Sequence, residues 1–148
     1  MASVSWQIAL LAAALAISVG STPARKRSKR QAYELPAGSE LLLYAPLSTN
    51  FRCPGEGYYA DVQNNCQVYH VCHQVTRPDG SADTQHYSFM CGNQTVFDQL
   101  SLTCAFPEDA VPCASAQDFF YVNNYIGVEN APFLTDDDVR RADAYKQG

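Results

Sequence analysis

The sequence predicts a small, disulfide-rich, all-β domain, and two observations lead to that fold class. The first is a set of six cysteines that lie within 61 residues, downstream of an apolar N-terminal stretch. An even number of cysteines at this density in a secreted chain is typical of a disulfide framework. The second is a series of short segments in which polar and apolar residues alternate between turn residues, as they do in antiparallel strands.

The N-terminal stretch determines the expected compartment. Residues 8–19 (IALLAAALAISV) form an apolar run of twelve residues, which is too short to span a bilayer and typical of a signal peptide. Small residues follow at the usual cleavage spacing, so we predict a signal peptide over residues 1–20. Because no Lys or Arg precedes the run, an uncleaved anchor stays open as the alternative.

A basic run, RKRSKR, occupies residues 25–30. It has two interpretations: a solvated charge cluster, or a processing site at which a secretory proprotein convertase cuts after Arg30. The second interpretation makes residues 21–30 a propeptide.

Removal of the first thirty residues changes the charge of the chain. Five of the ten basic residues lie there and none of the fifteen acidic ones, so the remainder has five against fifteen, a net charge of minus ten. Such a chain repels nucleic acid and anionic membranes. We therefore expect a neutral or cationic partner, with no nucleic acid and no membrane after signal cleavage.

The cysteine spacing argues against other cysteine chemistry. The cysteines are Cys53, Cys66, Cys72, Cys91, Cys104 and Cys113, with 12, 5, 18, 12 and 8 residues between them. The close C-x-x-C and H-x-x-x-H pairs of zinc sites and thiol oxidoreductases are missing. We expect His70 and His73, on either side of Cys72, to be surface residues, and we expect no metal and no cofactor.

Composition divides the rest of the chain into three parts. Residues 31–50, broken by prolines and a glycine, predict a linker, and residues 51–114 form the cysteine-bearing domain. Residues 115–148 predict an acidic, partly flexible tail that could recruit a protein partner. It contains a short helix capped by Thr135, with Asp136 to Asp138 in its first turn.

Three stretches of the domain alternate as strands do: residues 57–61, 66–72 and 85–91. Period two places the residues of the second stretch on two faces: Cys66, Val68, His70 and Cys72 on one, and Gln67, Tyr69 and Val71 on the other. Residues 77–83 (RPDGSAD) carry Pro-Asp-Gly turn chemistry. This pattern predicts a three-stranded antiparallel sheet, and residues 95–104 predict a further hairpin that turns near residues 98–101.

Distance constrains the disulfides without determining them. Cys66 and Cys72 lie roughly 20 Å apart in an extended strand, whereas a disulfide needs Cα atoms within about 7 Å. Each must therefore bond elsewhere in the chain, and several connectivities stay open.

These motifs together resemble the type 2 chitin-binding domain, also called peritrophin-A, over about Phe51 to Cys113. The resemblance is carried by the cysteine spacing, the G-x-Y-A-D run of residues 57–61, Tyr69 between the second and third cysteines, and Phe97-Asp98 before the fifth. The chain is most similar to arthropod cuticular proteins analogous to peritrophins that have a single such domain.

The resemblance implies a disulfide pairing and a fold. The family pairing corresponds to Cys53–Cys72, Cys66–Cys113 and Cys91–Cys104. The family fold corresponds to a three-stranded sheet followed by a hairpin similar to that of hevein-type lectins.

The resemblance also implies a ligand, chitin, which is a neutral polymer of N-acetylglucosamine. Aromatic rings suit the apolar faces of the sugars, and a few polar groups suit their rims. The candidates are Tyr58, Tyr59, Tyr69, Tyr87, Phe89 and Phe97, with Asp61 and Asp98 as polar partners. We expect Phe97 to lie in the core. Of Tyr58 and Tyr59, the one that points outward should be the better site residue. Asp61 could equally cap a turn.

Two further positions bear on the ligand. Leu100 stands at the predicted hairpin tip, where related chitin binders often carry an aromatic ring, so that stacking there is in doubt. Asn93-Gln94-Thr95 is a glycosylation sequon in a predicted turn.

The sequence thus predicts a secreted, non-enzymatic protein that binds chitin in cuticle or a peritrophic lining. The alternative is a secreted effector, such as a venom component, that uses the same scaffold to bind a protein. No catalytic signature is present in the sequence.

Overall fold

The structure is a computed structural model that describes residues 32–146. The predicted signal peptide, the basic run and the cleavage site at Arg30 lie outside these residues. In the described part of the chain, no helix has the length and apolar character that a bilayer crossing requires.

The predicted all-β fold class is confirmed. Strands β1 (Gly57–Ala60), β2 (Val68–Thr76) and β3 (Ala82–Met90) form an antiparallel sheet in the order β1-β2-β3. Strands β4 (Val96–Asp98) and β5 (Thr103–Ala105) form a separate two-stranded hairpin. The β2–β3 ladder is longer than the alternating pattern indicated, because it continues up to the Pro-Asp-Gly turn.

The sharp β2–β3 turn depends on local side-chain chemistry. Gly80 adopts a positive φ of 82°, a conformation that costs glycine little. Asp79 Oδ1 accepts hydrogen bonds from Ser81 N (2.9 Å) and Ser81 Oγ (2.6 Å). These contacts fix the register in which Thr76 faces Ala82.

Three disulfides cross-link the chain: Cys53–Cys72, Cys66–Cys113 and Cys91–Cys104. This is the pairing that the family resemblance implies. Cys66 and Cys72 bond to opposite ends of the domain, so the chain two residues before β2 and the middle of β2 are each tied to a different segment. Closing loops of this size stabilises a fold by about 3–4 kcal/mol each in the chain-entropy account.

The segment after the last cysteine, predicted as an acidic tail, packs against the rest of the domain. Residues Cys113–Tyr125 form a run of 3₁₀ turns, here called the C-terminal 3₁₀ segment, and α1 spans Asp136–Lys146. Both pack on the β4–β5 hairpin around a core that contains Leu100, Phe119 and Ala142.

The start of α1 has the cap that the sequence predicts. Thr135 Oγ accepts a hydrogen bond from Asp138 N at 3.2 Å, and Asp138 Oδ2 accepts one from Thr135 N at 2.7 Å. This reciprocal arrangement satisfies backbone donors at the helix start. Asp138 also accepts a hydrogen bond from the hydroxyl of Tyr121, which ties α1 to the C-terminal 3₁₀ segment. Burial, followed by this hydrogen bond, raises the pKa of Tyr121 to about 12.

Residues 32–50 were predicted to be a linker, but they contact the domain at several points. The side chain of Gln67 donates to Leu42 O at 2.9 Å and accepts from Tyr44 N at 2.7 Å. Tyr33 Oη accepts a hydrogen bond from Phe51 N at 2.9 Å. The segment therefore covers one side of the sheet.

The free edge of β1 is closed by two amide side chains. Asn123, in the C-terminal 3₁₀ segment, accepts from Tyr58 N at 2.8 Å and donates to Tyr58 O at 3.0 Å. Gln99, which is fully buried, donates to Tyr58 O and accepts from Ala60 N. An uncovered strand edge invites pairing with another chain, and these amides occupy the groups that such pairing would use.

The Asn123 contact requires a glycine opposite it. Gly57 has a φ of 137°, and a Cβ at this position would lie 2.4 Å from Asn123 Cγ. We expect Gly57→Ala to destabilise the fold by more than the roughly 1 kcal/mol expected for Asn123→Ala, which removes hydrogen bonds only. In the double variant the clash with Asn123 Cγ and Oδ1 is gone, whereas the Cβ of residue 123, 2.9 Å from the new methyl group, and the positive φ remain. The cost should therefore be smaller than the sum of the two, although not removed.

Denaturant unfolding of the three variants measures this coupling. Asn124→Ala is the matched control, because Asn124 is the exposed neighbour of Asn123 and its loss should leave the free energy of unfolding unchanged. Additive effects of Gly57→Ala and Asn123→Ala would contradict the proposed clash.

Candidate functional site

One face of the three-stranded sheet carries a cluster of aromatic side chains. The register places Tyr58 opposite Val71 and Val71 opposite Tyr87. The next row on the same face contains Tyr69 opposite Phe89, whose rings stack with centroids 5.4 Å apart. We call this surface the open face; it consists of Tyr58, Tyr69, Val71, Tyr87 and Phe89.

The members of the open face differ in accessibility. Phe89 is 44% exposed and Tyr58 is 37% exposed, whereas Tyr69, Val71 and Tyr87 are half-buried. The Tyr69 ring also stacks on Phe97, with centroids 4.4 Å apart and an interplanar angle of 14°. Phe97 is buried in the core, as expected. Because Tyr69 stacks on it, the orientation of the Tyr69 ring is fixed on the side that faces the core.

The structure resolves which of the two adjacent tyrosines points outward. Tyr58 lies on the open face, and Tyr59 is buried on the other side of the sheet. The Tyr59 hydroxyl donates to Glu56 O at 2.9 Å, and its ring packs edge-on against Phe120. Tyr59 is therefore a packing residue, and Tyr58 is the one of the two that stays a candidate for contact with a ligand.

Asp61 was a second candidate that the structure places in the interior. It caps the turn at Val62–Asn64 by accepting from Gln63 N and Asn64 N, which is the structural role left open for it. Its Oδ2 also accepts from Asn64 Nδ2 at 2.6 Å and lies 2.9 Å from His70 Nε2. A carboxylate with this many donors is committed to the fold and cannot serve a ligand.

Asp98 has the same kind of role in the hairpin. It is buried, and its two oxygens accept from Leu100 N, Ser101 N, Ser101 Oγ and Val111 N. The carboxylate thus shapes the β4–β5 turn and joins it to Val111. It is not available as a polar partner for a sugar.

The hairpin tip is covered, which changes the meaning of Leu100. The sequence placed Leu100 where a stacking ring would be exposed. In the structure it is buried against Val111, Phe119 and Val122, because the C-terminal 3₁₀ segment lies on the hairpin. Leucine here is a core residue, and the open face of the sheet carries the exposed rings.

The predicted sequon lies on the surface. Asn93 is exposed in a turn after Cys91, and Thr95 closes that turn by donating from both N and Oγ1 to Gly92 O. The asparagine side chain is accessible to a modifying enzyme.

The covered face of the sheet contains a histidine pair, His70 and His86. Of the two histidines expected at the surface, His73 is exposed and His70 is not. His70 is fully buried, and Phe51 stacks on its ring with centroids 4.0 Å apart. Because a carboxylate only accepts, His70 Nε2 must carry the proton it shares with Asp61. His70 Nδ1 lies 2.9 Å from both Ser88 Oγ and His86 Nε2.

Two members of this cluster have shifted pKa values. Burial, followed by the neighbouring His70, lowers the pKa of His86, although the charge of Asp61 opposes this. Burial raises the pKa of Asp61, but the hydrogen bonds from His70 and Asn64 outweigh it, and the net pKa lies below the usual value. Within residues 32–146, no group of three or more His, Cys, Asp or Glu side chains could hold a metal ion.

The fold and the open face define a class of protein: a small β domain that is cross-linked by three disulfides and has an accessible aromatic surface without a charged side chain. Residues 53–113 match the family model of the chitin-binding Peritrophin-A domain. The similarity to this family covers these residues, in agreement with the resemblance seen in the sequence.

Two curated relatives have names that refer to toxins. U-scoloptoxin(01)-Cw1a of Cormocephalus westwoodi is 39% identical over 79 residues, which is 52% of this chain and 60% of that protein. U-scoloptoxin(01)-Er1a of Ethmostigmus rubripes is 40% identical over 73 residues, which is 48% of this chain and 54% of that protein. The chain thus spans little more than half the length of either relative. No solved structure gave a significant match.

The lowered pKa of His86 predicts that the fold becomes less stable in acid. Because the pKa of His86 is lower in the folded chain than its ordinary value of 6.5, the unfolded chain takes up the proton first as the pH falls. The free energy of unfolding should decrease as the pH drops below about 6.5. The lowered pKa of Asp61 should add a second loss below its ordinary value of 3.8.

Denaturant midpoints across this pH range test the assignment. His86→Gln should flatten the loss that begins near pH 6.5 and leave the more acidic one. His73→Gln, at the exposed histidine, should keep both. An unchanged profile in His86→Gln would show that another group is responsible.

Proposed function

We propose that the open face of the sheet binds chitin. The observation that carries this proposal is the set of aromatic side chains on one accessible face of a domain whose family is described by chitin binding. Tyr58, Tyr87 and Phe89 would offer flat rings to the sugar, and Tyr69 would support Phe89 by stacking beneath it.

The chemistry of the open face suits a neutral polysaccharide. The pyranose ring has an apolar C–H side that packs on aromatic rings, and its hydroxyl and acetamide groups lie at the rim. No side chain of the open face carries a charge. The net charge of minus ten on residues 31–148 works against anionic polymers and does not penalise a neutral one.

Affinity for a short piece of chitin should be weak. Aromatic contacts of this kind add about 0.5–1.5 kcal/mol each beyond the area they bury. A shallow surface with a few such rings depends on repeated engagement along the polymer for retention.

A structural role in cuticle or a peritrophic lining is the setting that we infer for this binding, after secretion and without catalysis. A venom component that binds a protein target is the second candidate, because both curated relatives are named as scoloptoxins. Expression in epidermis or gut would favour the first, and expression in a secretory gland would favour the second.

We also propose two modifications, glycosylation at Asn93 and cleavage after Arg30. The first is supported by the exposed turn, the second by the basic run alone. Intact-mass spectrometry of the secreted protein should show an N-terminus at Gln31 and a mass that falls after deglycosylation. A mature chain that keeps residues 25–30 would refute the cleavage, and a mass that deglycosylation leaves unchanged would refute the glycan.

Sedimentation with insoluble polysaccharide tests the binding surface. The oxidised, secreted chain should sediment with chitin beads and stay in solution with cellulose, which lacks the acetamide. Tyr87→Ala and Phe89→Ala should each weaken retention by about fivefold, the loss expected for a contact worth about 1 kcal/mol.

Tyr44→Ala is the matched control, because Tyr44 is 64% exposed and lies outside the open face. It should bind as the parent protein does. Failure of the parent protein to sediment with chitin would overturn the proposal, as would equal losses in the Tyr44 and Tyr87 variants.

A further inference from the structure

A groove lies beside the open face, between β1 and the C-terminal 3₁₀ segment. Its volume is about 670 Å³, within the range typical of ligand pockets. Tyr58, Val71 and His73 line one side, and Phe120, Asn124 and Ile126 line the other. The second side comes from residues beyond the family match, which ends at residue 113.

The position of this second side is fixed by contacts already described. Asn123 is hydrogen-bonded to both backbone groups of Tyr58, and the Phe120 ring packs on Tyr59 with centroids 4.9 Å apart. Gly57 gives Asn123 the space to approach. The groove is therefore preformed and does not need a ligand to assemble it.

The surface chemistry of the groove matches that of the open face. Tyr58, Phe120 and Ile126 are apolar or aromatic. Asn124 is exposed, and within residues 32–146 its side-chain amide has no hydrogen-bond partner. An amide both donates and accepts, so it can pair with an acetamide or with hydroxyls. Glu56, also in the lining, lies 3.0 Å from His73.

Tyr58 and Val71 belong both to the groove and to the open face. A polymer that lies across the open face would therefore continue into the groove without leaving the protein surface. This continuity favours the same neutral sugar chain as the occupant. The lining has one carboxylate, Glu56, and no Lys or Arg, which disfavours an acidic peptide.

We propose that the groove is a second subsite for N-acetylglucosamine units, through which the C-terminal 3₁₀ segment extends the binding surface beyond the family domain. This inference rests on the proposed function. It assigns recognition of further sugar units to Asn124 and Ile126, and it makes affinity increase with the length of the oligosaccharide beyond what the open face covers.

Calorimetric titration with N-acetylglucosamine oligomers of increasing length tests the subsite. The dissociation constant of the parent protein should keep falling as the oligomer lengthens. Asn124→Ala and Ile126→Ser should leave the binding of short oligomers unchanged and weaken that of long ones by about fivefold. Gln117→Ala and Val128→Ser are matched controls in the same part of the chain, exposed and outside the groove lining.

The outcomes separate the two proposals. Absence of binding at every length would overturn the proposed function and the subsite together. Normal binding of every oligomer by folded Asn124→Ala and Ile126→Ser variants would overturn the subsite and leave the open face standing. Equal losses for short and long oligomers would also overturn it, because the groove would then be the principal site. Unfolding midpoints equal to those of the controls verify that the variants are folded.

Discussion

Two cysteines, Cys72 within strand β2 and Cys66 two residues before it, tie the strand to opposite parts of the chain. The remaining structure depends on this constraint. Cys72 bonds Cys53, which brings the N-terminal segment to the sheet, and Cys66 bonds Cys113, from which the C-terminal 3₁₀ segment starts. A domain of this size has a limited apolar core, so these bonds fix where the two flanking segments can go. The N-terminal segment covers one face of the sheet, and the C-terminal 3₁₀ segment closes the edge at β1. One face of the sheet is therefore left open.

The two faces of β2 show how one alternating strand serves two purposes. His70 points to the covered side, where Asp61, Ser88 and His86 satisfy its ring nitrogens. In residues 32–146, every buried side-chain nitrogen or oxygen has a hydrogen-bond partner. A buried polar group without a partner would destabilise the fold. Tyr69 and Val71 point to the other side and present apolar surface. A shift of one residue in register would exchange these faces, so the sheet needs the disulfides and the tight turn at Gly80 to hold it.

The sequence predicted the strands and the hairpin well, because alternation and turn residues are local signals. The disulfide pairing came from the family resemblance, since distance excluded only the Cys66–Cys72 bond. What local signals could not predict are contacts between distant segments. Asn123 and Tyr58 are 65 positions apart, and the burial of Leu100 depends on a 3₁₀ segment without clear periodicity. Asp61 and Asp98 were placed among the site residues because short carboxylates that cap turns are the same residue type as those that bind sugars.

The closed edge of β1 links the stability of the sheet to the proposed binding surface. An aromatic surface suited to an insoluble polymer is also a surface on which copies of the protein can associate, and an unpaired strand edge beside it would add a template for that association. Asn123 and Gln99 occupy the edge groups of β1, and the net charge of minus ten on residues 31–148 keeps copies apart. Because Asn123 also holds the C-terminal 3₁₀ segment against Tyr58, the contact that protects the edge is the one that builds the groove. In this protein the segment beyond the family domain therefore protects the sheet and shapes the surface next to it.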